Sequence, residues 1–484
     1  MLILIILMIP FLSGILLGMI GHKRYAELFN IASSFLTTLF SMLLLYKINK
    51  NGSMMALGQW FYVDSFNISI VFLTAFIGFT TALFSRCYMK NEVAHRNLSP
   101  KRLQLYHSMY QIFIGTMLLS LMTNNLGILW VAMEGATLST VLLISLYRTR
   151  ESIEAAWKYF ILCSVGISQA LLGTILIYFA AEKVLGSGSD ALFWTSLNAI
   201  KSQIDPNISS IAFVFILIGY GTKCGLVPLH NWLPDAHAEG PTPISAILSG
   251  LLLNVALYAI MRCKILIEPS IGNAFPSYAL MAFGLLSIIV AAFILLRQTD
   301  IKRLYSYSSI EHMGLITFAY GMGTPIANFA ALLHMTMHSL TKSAIFMAVG
   351  HAAQKAGSQK IKHIQGLIEQ SPLIGWSLML GSLAILGMPP FGVFTSKFLI
   401  ITTTMNEQPW AAPLILISLA VAFAAIFSKV QGMVFGISKV KELKFRPSLI
   451  PFFIHIFIVI VLGVYMPDFI KDWYYQTAKQ LLSL

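Results

Sequence analysis

Charge is what this chain has least of. Asp, Glu, Lys and Arg make up 11% of its 484 residues, where a soluble domain carries roughly 25%. With 57% hydrophobic residues and a mean hydropathy of +0.77, it cannot cover a water-facing surface and reads as an integral membrane protein. Cysteine is also scarce. Cys87, Cys163, Cys224 and Cys263 show no metal-ligand spacing, so neither a disulfide framework nor a metal cluster is expected. The chain has no P-loop, dinucleotide-binding glycine fingerprint, iron–sulfur cysteine run, zinc motif or supported haem histidine pair. No cofactor, metal or catalytic residue of its own is therefore expected. Acids are fewer than bases, giving a formal charge of +13. In a chain of apolar runs this excess belongs to loops facing an anionic leaflet rather than to nucleic-acid binding. The first 20 residues lack a basic leader and a small-residue cleavage site, so they read as a first membrane span and not a signal peptide.

Apolar stretches of bilayer-spanning length recur along the whole sequence. They fall near 2–20, 28–46, 65–85, 108–123, 125–147, 154–181, 208–236, 243–261, 277–296, 304–322, 326–351, 373–405, 411–435 and 449–467. An all-α polytopic membrane protein with about 14 transmembrane helices is expected. With the N-terminus outside, 21 of the 32 Lys and Arg fall in inner loops and 8 on the outer side. Basic residues favour the cytoplasmic side, so both termini are expected outside. No loop is long enough for a soluble domain; the longest, around 182–207, is expected to carry at most a turn of helix.

Two of the stretches are interrupted. In ILIGYGTKCGLVPLHNWLPDAHAEGPTP, residues 216–243, the helix breaks at Gly225 and Pro228 and stops at Pro241 and Pro243. In AILGMPPFGVFTSK, residues 384–397, it breaks at Gly387, Pro389, Pro390 and Gly392. Proline removes a backbone donor, and broken backbone survives at membrane depth only where protein or water satisfies it. Paired interruptions in two halves of a membrane protein point to inverted repeats with sites near the midplane. The breaks lie five stretches apart, as two five-helix units in opposite orientation require.

Ionisable residues inside these stretches are the candidate functional groups, since a charge at the bilayer centre costs about 2.5–3.5 kcal/mol. Glu134 lies in the middle of its stretch, and its expected partner is Lys223, beside the first break. The blander readings are an interhelical hydrogen-bonded acid and a lysine snorkelling to the surface. His334, His338 and Lys342 stand four apart on one helical face, rising about 12 Å. A histidine donates at one ring nitrogen and accepts at the other, which suits a hydrogen-bonded relay. Lys397 follows the second break and is either a relay group or a helix-end charge. His230, Asp235 and His237 follow the first break, as a mouth for protons or as groups holding the backbone. Glu311 and His312 are further candidates, read as lying near the inner interface. Asp300, Lys302 and Arg303 read as an interface anchor.

TKCGLVPLHNWLPDAHAEGPTPISAILSG, DIKRLYSYSSIEHMGLI, HMTMHSLTKSAIFMAVG and GMPPFGVFTSKF together resemble the proton-translocating, antiporter-like subunits of respiratory complex I, Mrp-type cation/proton antiporters and membrane-bound hydrogenases. The likeness covers about residues 60–435. Within that family, SSIEHMG and WVAMEGATLS look most like component F of hydrogenase-4. The resemblance implies fourteen helices and two inverted five-helix units with broken helices 7 and 12. It divides the chain into three leading helices and an inner loop (1–107), a first unit (108–264), a second unit (265–436) and a last helix with its tail (437–484). It also implies a proton path through Glu134, Lys223, His334, His338, Lys342 and Lys397. The family often has a lysine or histidine where this chain has Asn254. An asparagine holds water but carries no proton, so the link between Lys223 and the row at His334 is expected to be water-mediated or weaker than in relatives.

A proton-translocating subunit of a redox-driven complex is the function this implies, either a hydrogenase-4 or formate hydrogenlyase type or a complex I-like NADH:quinone oxidoreductase. It would sit in the bacterial inner membrane beside other membrane subunits of that assembly, which handle the electrons. The alternatives are an Mrp-type cation/proton antiporter subunit, a proton-conducting partner in inorganic carbon uptake, and an ordinary solute carrier.

Overall fold

The computed structural model describes residues 1–21, 23, 25–94, 98–437 and 447–482. Arg24, Arg96, Lys439, Lys441, Lys444 and Arg446, counted above toward the inner face, lie outside the described residues. The chain opens with a helical hairpin, α1 (Leu2–Ile20) and α2 (Ala26–Asn51). A two-stranded antiparallel ribbon, β1 (Met54–Ala56) and β2 (Phe61–Val63), leads into α3 (Ser65–Ala94). Then come α4 (Pro100–Met122), α5 (Leu126–Ile144), α6 (Arg150–Leu185) and a short α7 (Trp194–Ala199). The first broken segment is α8 (Pro206–Cys224) with α9 (Trp232–Glu239). Next, α10 (Thr242–Ile247) runs through a π-turn at Leu248–Leu252 into α11 (Leu253–Ile271). The second half holds α12 (Ala274–Leu295), α13 (Ile301–Met322), α14 (Pro325–Ala356) and a short α15 (Leu367–Gln370). The second broken segment is α16 (Pro372–Leu386) with α17 (Gly392–Glu407). The chain ends with α18 (Ala412–Phe435), α19 (Ile450–Val464) and α20 (Asp468–Gln480).

All fourteen apolar stretches are thus helical, and among the described residues nine helices are long and apolar enough to cross a membrane. Several start as their sequences dictate. Ser99, Asn125, Thr149, Asp205, Asp300 and Thr324 each accept a backbone N–H of the first turn, satisfying donors the helix leaves orphaned. Small residues let backbones touch, as membrane packing favours. A Cβ on Gly284 of α12 would lie 2.6 Å from the backbone N of Phe318 and 2.7 Å from the carbonyl of Gly314, both on α13.

The two breaks are built alike. Gly225 (φ +78°) and Gly387 (φ +83°) end their helices in the left-handed region, which glycine adopts without a Cβ penalty. The next residue donates back five positions, Leu226 to Gly221 and Met388 to Leu383, the closing bond of a Schellman turn. Three residues after each glycine stands a cis proline, Pro228 and Pro390. Freed carbonyls are used: the Trp232 indole donates to Thr222 O at 2.8 Å.

Three features depart from the sequence reading. The stretch ending near 261 continues as helix to Ile271, with Arg262 and Lys264 buried inside it. Arg262 pairs with Asp64 at 2.7 Å and Lys264 with Glu268 at 2.8 Å. The apolar run stops at these charges, but pairing lets the helix carry them onward. The C-terminal tail is a helix, α20, bent 82° from α19. The ribbon at 54–63 had no signal in the apolar pattern. It is tied to the α4–α5 turn, where Asn124 N–H donates to Trp60 O, and that turn is tied to α7, where Trp194 N–H donates to Asn124 O.

Candidate functional site

The candidate side chains fall in two groups within the helix bundle. In the first, Lys223 is the penultimate residue of α8, fully buried just before the break. Its ammonium donates to Thr137 Oγ1 and to the Tyr159 hydroxyl, both at 2.7 Å. It also lies 4.6 Å from the centre of the Tyr159 ring, within cation–π range. Glu134 sits on α5 three residues before Thr137, so the two lie on one face about one turn apart. One carboxylate oxygen accepts from Ser164 of α6 at 3.0 Å; the other is buried with no partner in the protein. Lys223 and Glu134 do not form an ion pair within 4 Å; the lysine's hydrogen bonds go to Thr137 and Tyr159 instead. Glu134 is half-buried, on the flank of the bundle formed by α5 and α6.

The residues after the first break divide. Asp235 binds Arg303 at 2.7 Å and Lys158 at 3.3 Å, fastening α9 to α13 and α6. Lys302, buried at the start of α13, donates to Ala238 O and Gly240 O at the end of α9, where a cation suits the helix dipole. This is more than an interface anchor, because it locks the broken half-helix in place. His237 is fully buried and stacks on Phe346 with ring centres 5.0 Å apart. Neither of its nitrogens has a protein partner, nor does Nδ1 of His230.

The second group centres on α14. His334, His338 and Lys342 are fully buried. His334 Nε2 shares a 2.8 Å hydrogen bond with His312 Nδ1, and its other nitrogen lies 2.8 Å from Ser396 Oγ on α17. His338 stacks on His312 at 5.3 Å, and both its nitrogens lack protein partners. Lys342 donates to Tyr305 O at 2.9 Å, while the Tyr305 hydroxyl is 2.6 Å from Ser382 of α16. Lys397 and Glu311 form a buried ion pair at 3.6 Å. Glu311 and His312 are therefore not near an interface, as the sequence reading had them. They lie nine and ten residues beyond Lys302, about 14 Å deeper along the helix, in the middle of the row. Counting from the basic residues alone understated that depth.

Asn254 lies on α11, which packs against α8, and it reaches the second group. The π-turn precedes it on the α10–α11 segment, and its amide donates to Ser339 Oγ at 2.6 Å, next to His338 on α14. Its carbonyl oxygen is buried without a protein partner. Thr137, Tyr159, Ser164, Ser339, Tyr305 and Ser396 escaped the sequence reading because neutral hydroxyls are common in apolar helices. Their one signal is clustering near the charged positions, as in TSK at 395–397. No group of three or more His, Cys, Asp or Glu able to hold a metal exists among the described residues.

Buried lysines, a buried lysine–glutamate ion pair and stacked histidines inside a helical bundle with two broken helices define an ion-translocating membrane protein. Residues 123–424 match the family described as the transmembrane region of NADH:quinone oxidoreductase and Mrp antiporters. The chain belongs to that family. It is 48% identical over 476 residues to a hydrogenase-4 component F homolog of Methylacidiphilum infernorum, covering 98% of this chain and 99% of that one. Its fold matches a chain of the archaeal membrane-bound sulfane sulfur reductase with a TM-score of 0.89 and 25% identity, over 99% and 97% of the two chains. It matches a chain of Thermus thermophilus respiratory complex I with a TM-score of 0.83 and 20% identity, over 100% of both.

Proposed function

We propose that this chain is a proton-translocating membrane subunit of a redox-driven complex of the hydrogenase-4 or complex I-like type. Glu134 and Lys223 load the first unit; His334, His338, His312 and Lys342 form the central relay; and Lys397 with Glu311 closes its far end. The observation that carries this reading is that several of the unpartnered buried polar atoms fall at the candidate positions. Glu134 Oε2, Asn254 Oδ1 and both nitrogens of His338 lack protein partners and punctuate the same line of ionisable residues. Buried polar groups are normally paired, and polar gaps of this kind are where internal water binds. Water between titratable groups is what a proton wire needs.

Two inverted five-helix units, 108–264 and 265–436, account for the matching Schellman breaks. The positive-inside bias supports both termini outside, in a bacterial inner membrane. The relatives are subunits of multi-subunit complexes, and the absence of any cofactor motif in the sequence assigns electron transfer to neighbouring subunits.

The test is redox-driven proton uptake by the assembled complex in sealed vesicles. With Glu134→Gln, uptake is expected to fall at least about tenfold, a barrier rise of about 1.4 kcal/mol, while assembly persists. Undiminished uptake rejects the role of Glu134. Uptake that needs sodium and persists without any redox partner favours the antiporter reading instead.

A further inference from the structure

The charged groups of α11 are unused by this path, yet they continue from it. Asn254, Tyr258 and Arg262 stand four apart on α11 and so share one face, spanning about 12 Å toward the outer end. Arg262 Nε donates to the Tyr258 hydroxyl at 2.9 Å, and that hydroxyl donates to Leu121 O at 3.1 Å. The guanidinium is buried among four aromatic rings, with centres at 4.5 Å (Trp194), 5.1 Å (Tyr258), 5.3 Å (Phe66) and 5.9 Å (Tyr62). Its other partner is Asp64, at 2.7 Å, which also caps α3 by accepting the N–H groups of Phe66 and Asn67.

Space lies on both sides of this guanidinium. Beyond it is an open vestibule of about 730 Å³ lined by Asp64, Lys201, Asp472 and Lys479. Behind it is a void of about 10 Å³ bounded by Thr123, Asn124, Leu129 and Tyr258, the size of a single water. Tyr62, Trp194 and Arg262 line both spaces. The void faces the α11 row that ends at the unpartnered oxygen of Asn254.

The geometry points to a second outward route at the seam between the two units, from Asn254 past Tyr258 to the vestibule, with the Arg262 side chain as its plug. An arginine suits the role: it stays protonated at any accessible pH, so it blocks water continuity without itself relaying a proton. The ring cage and Asp64 hold it in one position. This inference rests on the central relay proposed above and adds an exit distinct from Lys397. The plainer reading is a buried ion pair that only ties the ribbon and α3 to α11. The two differ in whether removing the plug opens a leak.

The experiment uses the assembled complex in sealed vesicles without redox substrate. A pH jump is imposed with potassium and valinomycin clamping the potential, and an entrapped dye follows its decay. Arg262→Ala is expected to speed the decay about tenfold, equivalent to 1.4 kcal/mol off the barrier. Adding Lys342→Met is expected to return the decay to the wild-type rate, because the leak runs through the central row. An assembled Arg262→Ala complex that stays tight overturns the proposal, as does a leak that survives Lys342→Met. If Arg262→Ala fails to assemble, Arg262→Gln with Asp64→Asn removes both charges and keeps the volume. The same leak is expected there, and its absence overturns the proposal. If Glu134→Gln stops redox-driven uptake while Arg262 variants stay tight, the function stands and the plug falls.

Discussion

Lys342→Met is expected to stop redox-driven proton uptake by the assembled complex while leaving electron transfer measurable with an uncoupled acceptor. Lys342 is fully buried at the middle of α14; its ammonium donates to Tyr305 O and lies 5.7 Å from the centre of the Tyr305 ring. No carboxylate lies within ion-pair distance of it among the described residues. A charge this deep costs about 2.5–3.5 kcal/mol, and Lys342 is the α14 group placed to host it. Methionine matches the volume and keeps the packing but offers no host. A proton must then cross that depth without one, and the barrier rises by about the same cost. Uptake should fall on the order of a hundredfold. Lys342→Arg separates carrying from mere charge: it keeps a cation but does not release its proton, and the same loss is expected. Normal uptake in the arginine variant would falsify the relay role of Lys342.

The second large effect is expected at Lys223. Its two hydroxyl partners, Thr137 and Tyr159, leave the lysine solvated but without a fixed counter-ion. Glu134 is one turn away on the same helix face as Thr137. We propose that proton movement at Glu134 and at Lys223 is coupled through their opposite charges. Lys223→Met removes one half of this exchange. Uptake measured in vesicles should fall by about the same hundredfold, with subunit content unchanged on native gels. Retained uptake assigns Lys223 to folding of the break alone.

Much of this was visible in the residues. The breaks at Gly225 and Gly387 were legible because proline and glycine act locally, through backbone donors and φ. The row on α14 was legible because a spacing of four has one meaning on a helix. Glu134 and Lys223 were found as rare charges in apolar stretches, but the hydrogen bonding of Lys223 to Thr137 and Tyr159 was not, since it depends on how α5, α6 and α8 pack. Glu311 and His312 were misplaced in depth for the same reason. They belong to the row only because α13 and α17 converge on α14. The Arg262–Asp64 pair was not legible, because the two residues stand 198 apart in sequence.

The central claim is that the two groups form one wet line through Asn254. It is tested most directly by an experimental density map of the assembled complex at a resolution that shows ordered water. The account predicts water at Asn254 Oδ1, at the free oxygen of Glu134 and at both nitrogens of His338, continuous from Lys223 to the α14 histidines. Apolar side chains closed over Asn254, with no water between Lys223 and His338, would contradict it.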